Sequence, residues 1–382
     1  MYARTRRPAA GDRDEERALI ALSLVPGVGI GRIRLLLAAF GSARAVLSTP
    51  RSVLSGVPGI GSRTAERIAR FDDLSTVDRQ FERARRVGAE FISMWDDRYP
   101  YLLRKIYDPP PFIWVRGRMP VADGAERALA IVGTRRASAY GRRTTHDISH
   151  ILVRLGFTIV SGLAYGIDVA SHAAALEAGG RTIAVLGSGV DRVYPARHRR
   201  LTEDIVHRGA VISEFPMGAK PEAQNFPRRN RVVSGLCLGT IVVEAREDGG
   251  ALITARLALQ QNREVFAVPG PIHSPASAGT NRLIQGGEAK LVQTVEDILD
   301  ELGMRADAED LSLPTIDVAS LSPEEQALCK VLSPEPMHID ALCGAAGLEP
   351  AVALVHLLNL EFKGVVHQQA GKHFYLSASI NP

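Results

Sequence analysis

Between about Glu90 and Gly303 the chain alternates short apolar runs, ALAIVG, FTIVSG, TIAVLG, AVISEF, TIVVEA, EVFAVPG and KLVQ, with helical patterns such as YGRRTTHDISHILVRLG and IDVASHAAALEAGG. Strands so continuously apolar must be covered on both faces. Their alternation with helices implies an α/β, Rossmann-like, mostly parallel sheet with helices on both sides. The earlier runs EFISMW and FIWVRG, with DPPP between them, read as added edge strands. Ligands in such folds bind beyond the carboxyl ends of the strands, so function is sought in those loops.

At 382 residues the chain exceeds one compact core. Residues 1–14 read as a flexible tail, 15–86 as a small helical domain, 87–303 as the sheet domain, 304–317 as an acidic linker and 318–382 as a third domain. The helical domain carries two similar turns about 32 residues apart, LVPGVGIGRIRLLLAAF and GVPGIGSRTAERIARF. Each has Pro-Gly-apolar-Gly before a helix, the pattern of a helix-hairpin-helix (SAM-like) unit whose turn amides open toward a phosphate. The competing reading is an interaction domain whose glycines serve packing alone. In the third domain, SPEEQALCKVL, HIDALCGAAG and EPAVALVHLLNLEFKG read as three helices and VVHQQAGKHFYLS as a hairpin turning at Gly371, a winged-helix pattern. Its recognition helix, Pro350 to Phe362, has no Lys or Arg before Lys363 and acids at Glu349 and Glu361. A major-groove reader needs cations against phosphate, so protein contact is favoured there.

From Glu296 onward 14 acids face 4 bases, a net of −10, which leaves the first 295 residues at +14. A polyanion partner suits the first part and not the last. With 46% hydrophobic and 23% charged residues and no apolar run of membrane-spanning length, a soluble protein with no membrane partner is expected. The basic start has no apolar core or cleavage site, so it is not read as a secretory signal and the compartment is read as cytoplasm. Cys237, Cys329 and Cys343 lie in apolar-periodic stretches without CxxC spacing, which reads as buried and reduced.

The first strand ends in GTRRASAYGRR, where Gly133 permits a sharp turn, Thr134 and backbone amides can donate to phosphate, and Arg135 and Arg136 bring charge. This is neither GxGxxG nor GxxxxGK[ST], so no nucleotide cofactor is expected. At the second strand end Ser161 and Gly162 offer close backbone approach, Asp168 reads as a helix cap, and His172 reads as a satisfied structural histidine. The third end presents Gly187, Ser188 and Gly189, then Arg192, Tyr194, Arg197, Arg199 and Arg200. In the fourth, Lys220, Arg228, Arg229 and Arg231 bracket Phe226, with Asn225 and Asn230 beside it. A ring flanked by cations is the recurring recipe for single strands. Phe226 could instead anchor the loop in the core, and Asn230 and Arg231 could cap a following helix. The fifth end places Gly249 and Gly250 before a helix bearing Thr254 and Arg256. Several strand ends thus bring glycine, hydroxyl or arginine to one rim, which points to an anion.

The blocks IVGTRRASAYG, SGLAYGID, AVLGSGVDRVYP, SEFPMG, NFPRRNRVVSGL, VVEA with GALITA, and VFAVPG, in this order, resemble the DNA-processing protein A (DprA/Smf) family over nearly the whole chain. The resemblance implies a non-enzymatic Rossmann-like protein that binds single-stranded DNA, protects incoming strands in natural transformation, helps load the recombinase RecA and forms homodimers. It further implies that Arg135 and Arg256 hold phosphate, and that Lys220, Phe226 and Arg228 lie in the strand-binding pocket with Phe226 stacking a base. Weak double-stranded DNA contact through the helical domain is a further expectation.

The alternative is an enzyme, a phosphoribohydrolase of the related Rossmann-like family that releases bases from nucleoside monophosphates. That family carries PGGxGTxxE, whereas EDGGALITA here has Glu244, Glu247 and Asp248 before the glycines and no Glu after them. A nuclease would need clustered carboxylates for metal ions. Asp168, Asp191, Glu214 and Glu244 fall one per loop, as caps or braces would, and no metal site is expected.

Overall fold

The computed structural model describes residues 11–119, 127–306, 311, 315–317, 321–333, 335–369, 371–376 and 379–381. Its central sheet contains β1 (Ala89–Ser93), β2 (Phe112–Gly117), β3 (Ala128–Val132), β4 (Thr158–Ser161), β5 (Thr182–Val185), β6 (Ala210–Ser213), β7 (Gly239–Val242), β8 (Glu264–Ala267) and β9 (Lys290–Leu291). The spatial order is β1-β2-β6-β5-β4-β3-β7-β8-β9. All pairs from β6 to β9 are parallel, and β1 and β2 join antiparallel at the edge. From β3 the chain winds outward through β4, β5 and β6, then crosses back to β7. The carboxyl ends of β3 and β7 therefore flank a topological switch point, where such sheets open a crevice.

Alternation along β3 sends Leu129 and Ile131 into one apolar layer and Ala130 and Val132 into the other. The covering helices are α8 (Ala139–Arg154), α9 (Ile167–Glu177), α10 (Arg199–Arg208), α11 (Asn225–Gly235), α12 (Gly250–Gln260), α13 (Ala278–Gln285) and α14 (Val295–Glu301). They follow a short α7 (Tyr101–Arg104) and the six helices of the N-terminal region, α1 (Arg13–Leu24), α2 (Ile30–Phe40), α3 (Ala43–Leu47), α4 (Arg51–Leu54), α5 (Ser62–Ala69) and α6 (Leu74–Arg86). The edge strands seat that region. Ile113 and Val115 of β2 enter the sheet core, while Phe112 and Trp114 point the other way into the helical core. There Phe91 lies 5.0 Å from Phe112 and 5.2 Å from Trp114, ring centre to ring centre. Gln80 accepts from the Met217 amide at 2.7 Å, and Arg83 pairs with Asp191 at 3.1 Å, so the two domains are also joined by polar contacts.

The two Pro-Gly turns are real and have paired uses. Gly27 and Gly59 take φ of +86° and +87°, left-handed values that a side chain would strain. Arg67 of α5 donates to the Pro26 carbonyl at 3.0 Å, and Arg32 of α2 donates to the carbonyls of Gly27 and Gly59. Each hairpin thus braces the other. The first turn also faces Phe112, Phe215, Pro216 and Arg228 across a groove.

At the N-terminus helix begins earlier than the expected tail allows. Asp12 caps α1 by accepting from Asp14 and Glu15 amides at 3.1 and 3.2 Å, and residues 1–10 lie outside the described residues. Within the expected linker, Thr315–Asp317 pairs in parallel with Ser379–Asn381, and Met304, Ala306 and Leu311 pack on the sheet domain. Residues 307–310 and 312–314 of that linker lie outside the described residues. The last domain has helices Pro323–Val331, Ile339–Ala346 and Pro350–Phe362, then Val366–Gln369 paired antiparallel with His373–Leu376 across Gly371. All three cysteines are buried and outside disulfides. Among the described residues no single helix is long and apolar enough to cross a membrane.

His172 on α9 is fully buried, with Nδ1 2.6 Å from the Thr182 hydroxyl, which itself donates to the Ile159 carbonyl. The ring therefore donates from Nδ1. Burial first, then the Arg229 cation, push its pKa from 6.5 down to about 3. A group whose charged form is excluded from the fold contributes fully above its unfolded pKa and loses stability as pH falls below it, at about 1.4 kcal/mol per pH unit. Between pH 7 and pH 5 the wild type is expected to lose about 2 kcal/mol more than His172→Gln. Urea unfolding at both pH values measures this, and an identical pH response in the two proteins would contradict it.

Candidate nucleic-acid interface

At the switch point lies a cavity of about 720 Å³ walled by Gly133–Arg136 after β3, Asp168 of α9, Ala245, Arg246 and Gly249 after β7, the start of α12, one face of α11, and Tyr194. The β3 turn is braced by the protein's own groups. The Thr134 amide donates to the Glu244 carbonyl at 2.8 Å, and the Thr134 carbonyl accepts from Ile167 at 3.2 Å. The Glu244 carboxylate accepts from the Ser138 amide at 2.9 Å and from its hydroxyl, while Ser138 caps α8. Gly133 is squeezed between Ile167 and Glu244, where a Cβ would meet Ile167 at 2.5 Å. This bracing leaves Arg135 and Arg136 exposed on the lip.

The Arg135 guanidinium carbon lies 5.8 Å from the centre of the Phe226 ring, within cation–π range. Tyr194, 47% exposed, stands 5.8 Å from the same ring. Gly187 forms the ring's backing, since a Cβ there would lie 3.1 Å from Phe226. Phe226 is half-buried, with one side against the sheet and the other on the cavity. Thr254 and Asn230 also line the cavity, Thr254 being 3% exposed.

Helix phase sorts the fourth segment. The chain from Asn225 is already helical, so Asn230 and Arg231 do not cap a later helix. Positions 226, 229, 230 and 233 share the face that lines the cavity. Arg228, two residues from Phe226, points about 200° round the helix. It lies over Phe215 at 5.5 Å, in the groove toward the first Pro-Gly turn. Arg231 is buried and bonded to Glu214, and its Nε lies 3.2 Å from Asp108. Its charge is consumed inside the domain, contrary to the rim position expected. Arg229 is 5% exposed and forms part of the cavity floor.

Other expected donors are spent internally. The Ser161 hydroxyl donates to the Ile131 carbonyl at 2.6 Å, and the Gly162 amide donates to Asp168 at 3.1 Å. Ser188 donates to the Arg192 carbonyl at 2.6 Å, and the Gly189 amide to the Ala219 carbonyl at 3.1 Å. Gly187, Ser188 and Gly189 are all buried. Asn225 is buried and reaches the Lys220 carbonyl at 3.3 Å, leaving the Lys220 side chain exposed. Arg256 is exposed farther along α12, outside the cavity walls.

The four scattered acids prove to be braces. Asp168 does not cap α9, whose N-cap is Gly166; instead its Oδ2 accepts from Gly162 and from Ala164 at 3.3 Å. Its burial raises its pKa, opposed chiefly by Arg229. Asp191 accepts from the Gly218 amide at 2.7 Å, and Glu214 holds Arg231. Among the described residues no group of three or more His, Cys, Asp or Glu could hold a metal ion. Tyr194 is the residue that sequence reasoning placed in the loop but not in the site. Its signal was an aromatic between Arg192 and Arg197 in DRVYPAR.

A Rossmann-like sheet carrying a cation-and-aromatic cavity at its switch point, between a helix-hairpin-helix unit and a winged helix, defines the class. The family described as DNA recombination-mediator protein A matches residues 90–303, a DprA winged helix domain matches 314–372, and a SAM-like helix-hairpin-helix tandem matches 19–71. Protein Smf of Synechocystis sp. is 32% identical over 392 residues, covering 94% of this chain and 98% of that protein. The X-ray structure of DNA processing protein A from Streptococcus pneumoniae superposes with a TM-score of 0.65 at 33% identity, covering 76% of this chain and 99% of that one. A structure of DNA processing protein A from Helicobacter pylori, described for its single-stranded DNA binding mode, gives 0.51 at 27% identity over 56% of this chain and 95% of that one. The chain belongs to the DNA processing protein A (DprA/Smf) family.

Proposed function

We propose that this chain binds single-stranded DNA at the switch-point cavity, acting in the cytoplasm without cutting the strand. In this reading it protects incoming DNA in natural transformation and passes it to the RecA recombinase as a homodimer. The observation that carries the reading is the Arg135 guanidinium beside the half-exposed Phe226 ring, with Tyr194 next to it. A stacking platform with an adjacent cation accepts any base and its phosphate, which suits a strand of arbitrary sequence. The Helicobacter pylori relative's described single-stranded DNA binding supports the same reading. Contact with duplex DNA through the N-terminal helices is a secondary, weaker mode, since the first hairpin turn faces the sheet domain.

The test is a fluorescence titration of single- and double-stranded oligonucleotides at several salt concentrations. The single strand is expected to bind more tightly, with log affinity falling linearly in log salt by about 0.7 per phosphate neutralised. Equal affinity for the two forms, or no salt dependence, would overturn it. In a parallel incubation, nucleoside monophosphates are expected to remain intact by chromatography.

A further inference from the structure

We propose that Arg229 forms the floor of a recessed phosphate-binding site beneath the Phe226 platform, taking one phosphate group below the exposed rim; the inference rests on the single-strand reading above.

An arginine this deep normally has partners. Arg229 is 5% exposed, yet its guanidinium makes no hydrogen bond or ion pair with any described residue. Its buried Nε has no acceptor. The terminal nitrogens lie against Gly162, where a Cβ would fall 1.6 Å from Nη1, so the glycine exists there to admit the guanidinium. The nearest acid that acts on it is Asp168, beyond ion-pair distance and with Oδ2 already bound by two amides. Burial pulls the Arg229 pKa down to about 10, so it remains charged at neutral pH. Buried cations are retained where an anion pairs them.

The remaining walls fit a phosphate. Gly250 and Ala251 at the start of α12 line the cavity, and its N-cap, Gly249, brings no side-chain cap; the Leu252 amide already donates to the Gly249 carbonyl at 3.0 Å. Thr134 and Thr254 border the same space. A helix N-terminus and a planar guanidinium are the two groups best suited to phosphate oxygens. A strand whose base stacks on Phe226 would turn one phosphate inward, while Arg135 holds a neighbouring one at the lip.

The phosphate could be internal to the strand or at its end. The experiment uses the full chain, inorganic phosphate against chloride at matched ionic strength in thermal unfolding, and oligothymidylates bearing 5′-phosphate, 3′-phosphate or hydroxyl ends in binding. Inorganic phosphate is expected to raise the wild-type Tm, and Arg229→Met to lose that response. Arg229→Met is also expected to bind the strand about tenfold more weakly and to flatten the salt slope by about 0.7. A preference for one phosphorylated end that disappears in the variant marks a terminal phosphate, and indifference to the ends marks an internal one. Should Arg229→Met not fold, Arg229→Lys is expected to fold and to give a weaker phosphate response than wild type. A wild type blind to phosphate, or variants that keep its full response and salt slope, would overturn the proposal. Where Arg135→Ala loses strand affinity and Arg229→Met does not, the recessed site fails and the single-strand reading stands; where neither does, both fail.

Discussion

Arg231→Ala is expected to destabilise the sheet domain by about 3–5 kcal/mol, the cost of leaving a buried charge without its partner. The Arg231 and Glu214 side chains are only 7% and 2% exposed, and Asp108 completes the network at 3.2 Å. Burial raises the pKa of Glu214, and Arg231 is the largest influence opposing it. One carboxylate oxygen, Oε1, already has no partner. With the arginine gone, Glu214 must be buried charged or take up a proton. A carboxyl whose folded pKa lies above its unfolded value gains stability from protonation at low pH and loses that gain as pH rises. The deficit of the variant relative to wild type is therefore expected to be largest at pH 7 and smaller near pH 4.5. Urea unfolding at both pH values measures it. The pair Arg231→Met with Glu214→Leu should recover much of the loss, since a packed apolar pair removes both desolvation penalties. Strand affinity per folded molecule should stay close to wild type. A variant as stable as wild type that no longer binds the strand would return Arg231 to the rim position its sequence context suggested.

The sheet was legible because its signals are local. Continuous apolar runs ending in glycine mark parallel strands, and the edge character of EFISMW and FIWVRG follows from the proline run between them. Arg135 followed from the same logic, as a cation just past the end of the first strand, while its place at the switch point came only with the strand order. The fourth segment was harder. Pro227 and the polar run around it hide the helical period, so Arg228, Arg229 and Arg231 look equivalent in sequence. Proline in the first turn of a helix is tolerated because its missing N–H has no partner there anyway. Once the helix starts at Asn225, one turn decides that Phe226 and Arg229 share the cavity while Arg228 faces a different groove. The hydroxyls of Ser161 and Ser188 were hidden for another reason. Each is consumed by a carbonyl that only the fold brings near, that of Ile131 or Arg192. The pairing of Thr315–Asp317 with Ser379–Asn381 joins segments more than sixty residues apart, which no local pattern announces.

Phe226 and Arg135 are expected to fail in different ways, and that difference tests the site as a unit. Phe226→Ala removes a stacking surface, worth about 1–3 kcal/mol per base, or roughly 5- to 150-fold in affinity. The loss should be nearly independent of salt, because no charge has changed. Arg135→Ala removes a phosphate contact, so its loss should be greatest at low salt and the salt slope should fall by about 0.7. The two residues touch, at 5.8 Å from guanidinium carbon to ring centre. Arg135 also helps to hold the ring's outer face ready for a base, so the double variant should lose less than the sum of the single losses. Contacts that share a partner couple in this way, whereas independent ones add. Fluorescence titration of an oligothymidylate across a salt series gives all four affinities. Strict additivity would place the two side chains on separate parts of the strand. Wild-type binding by both single variants would remove the cavity from the function altogether.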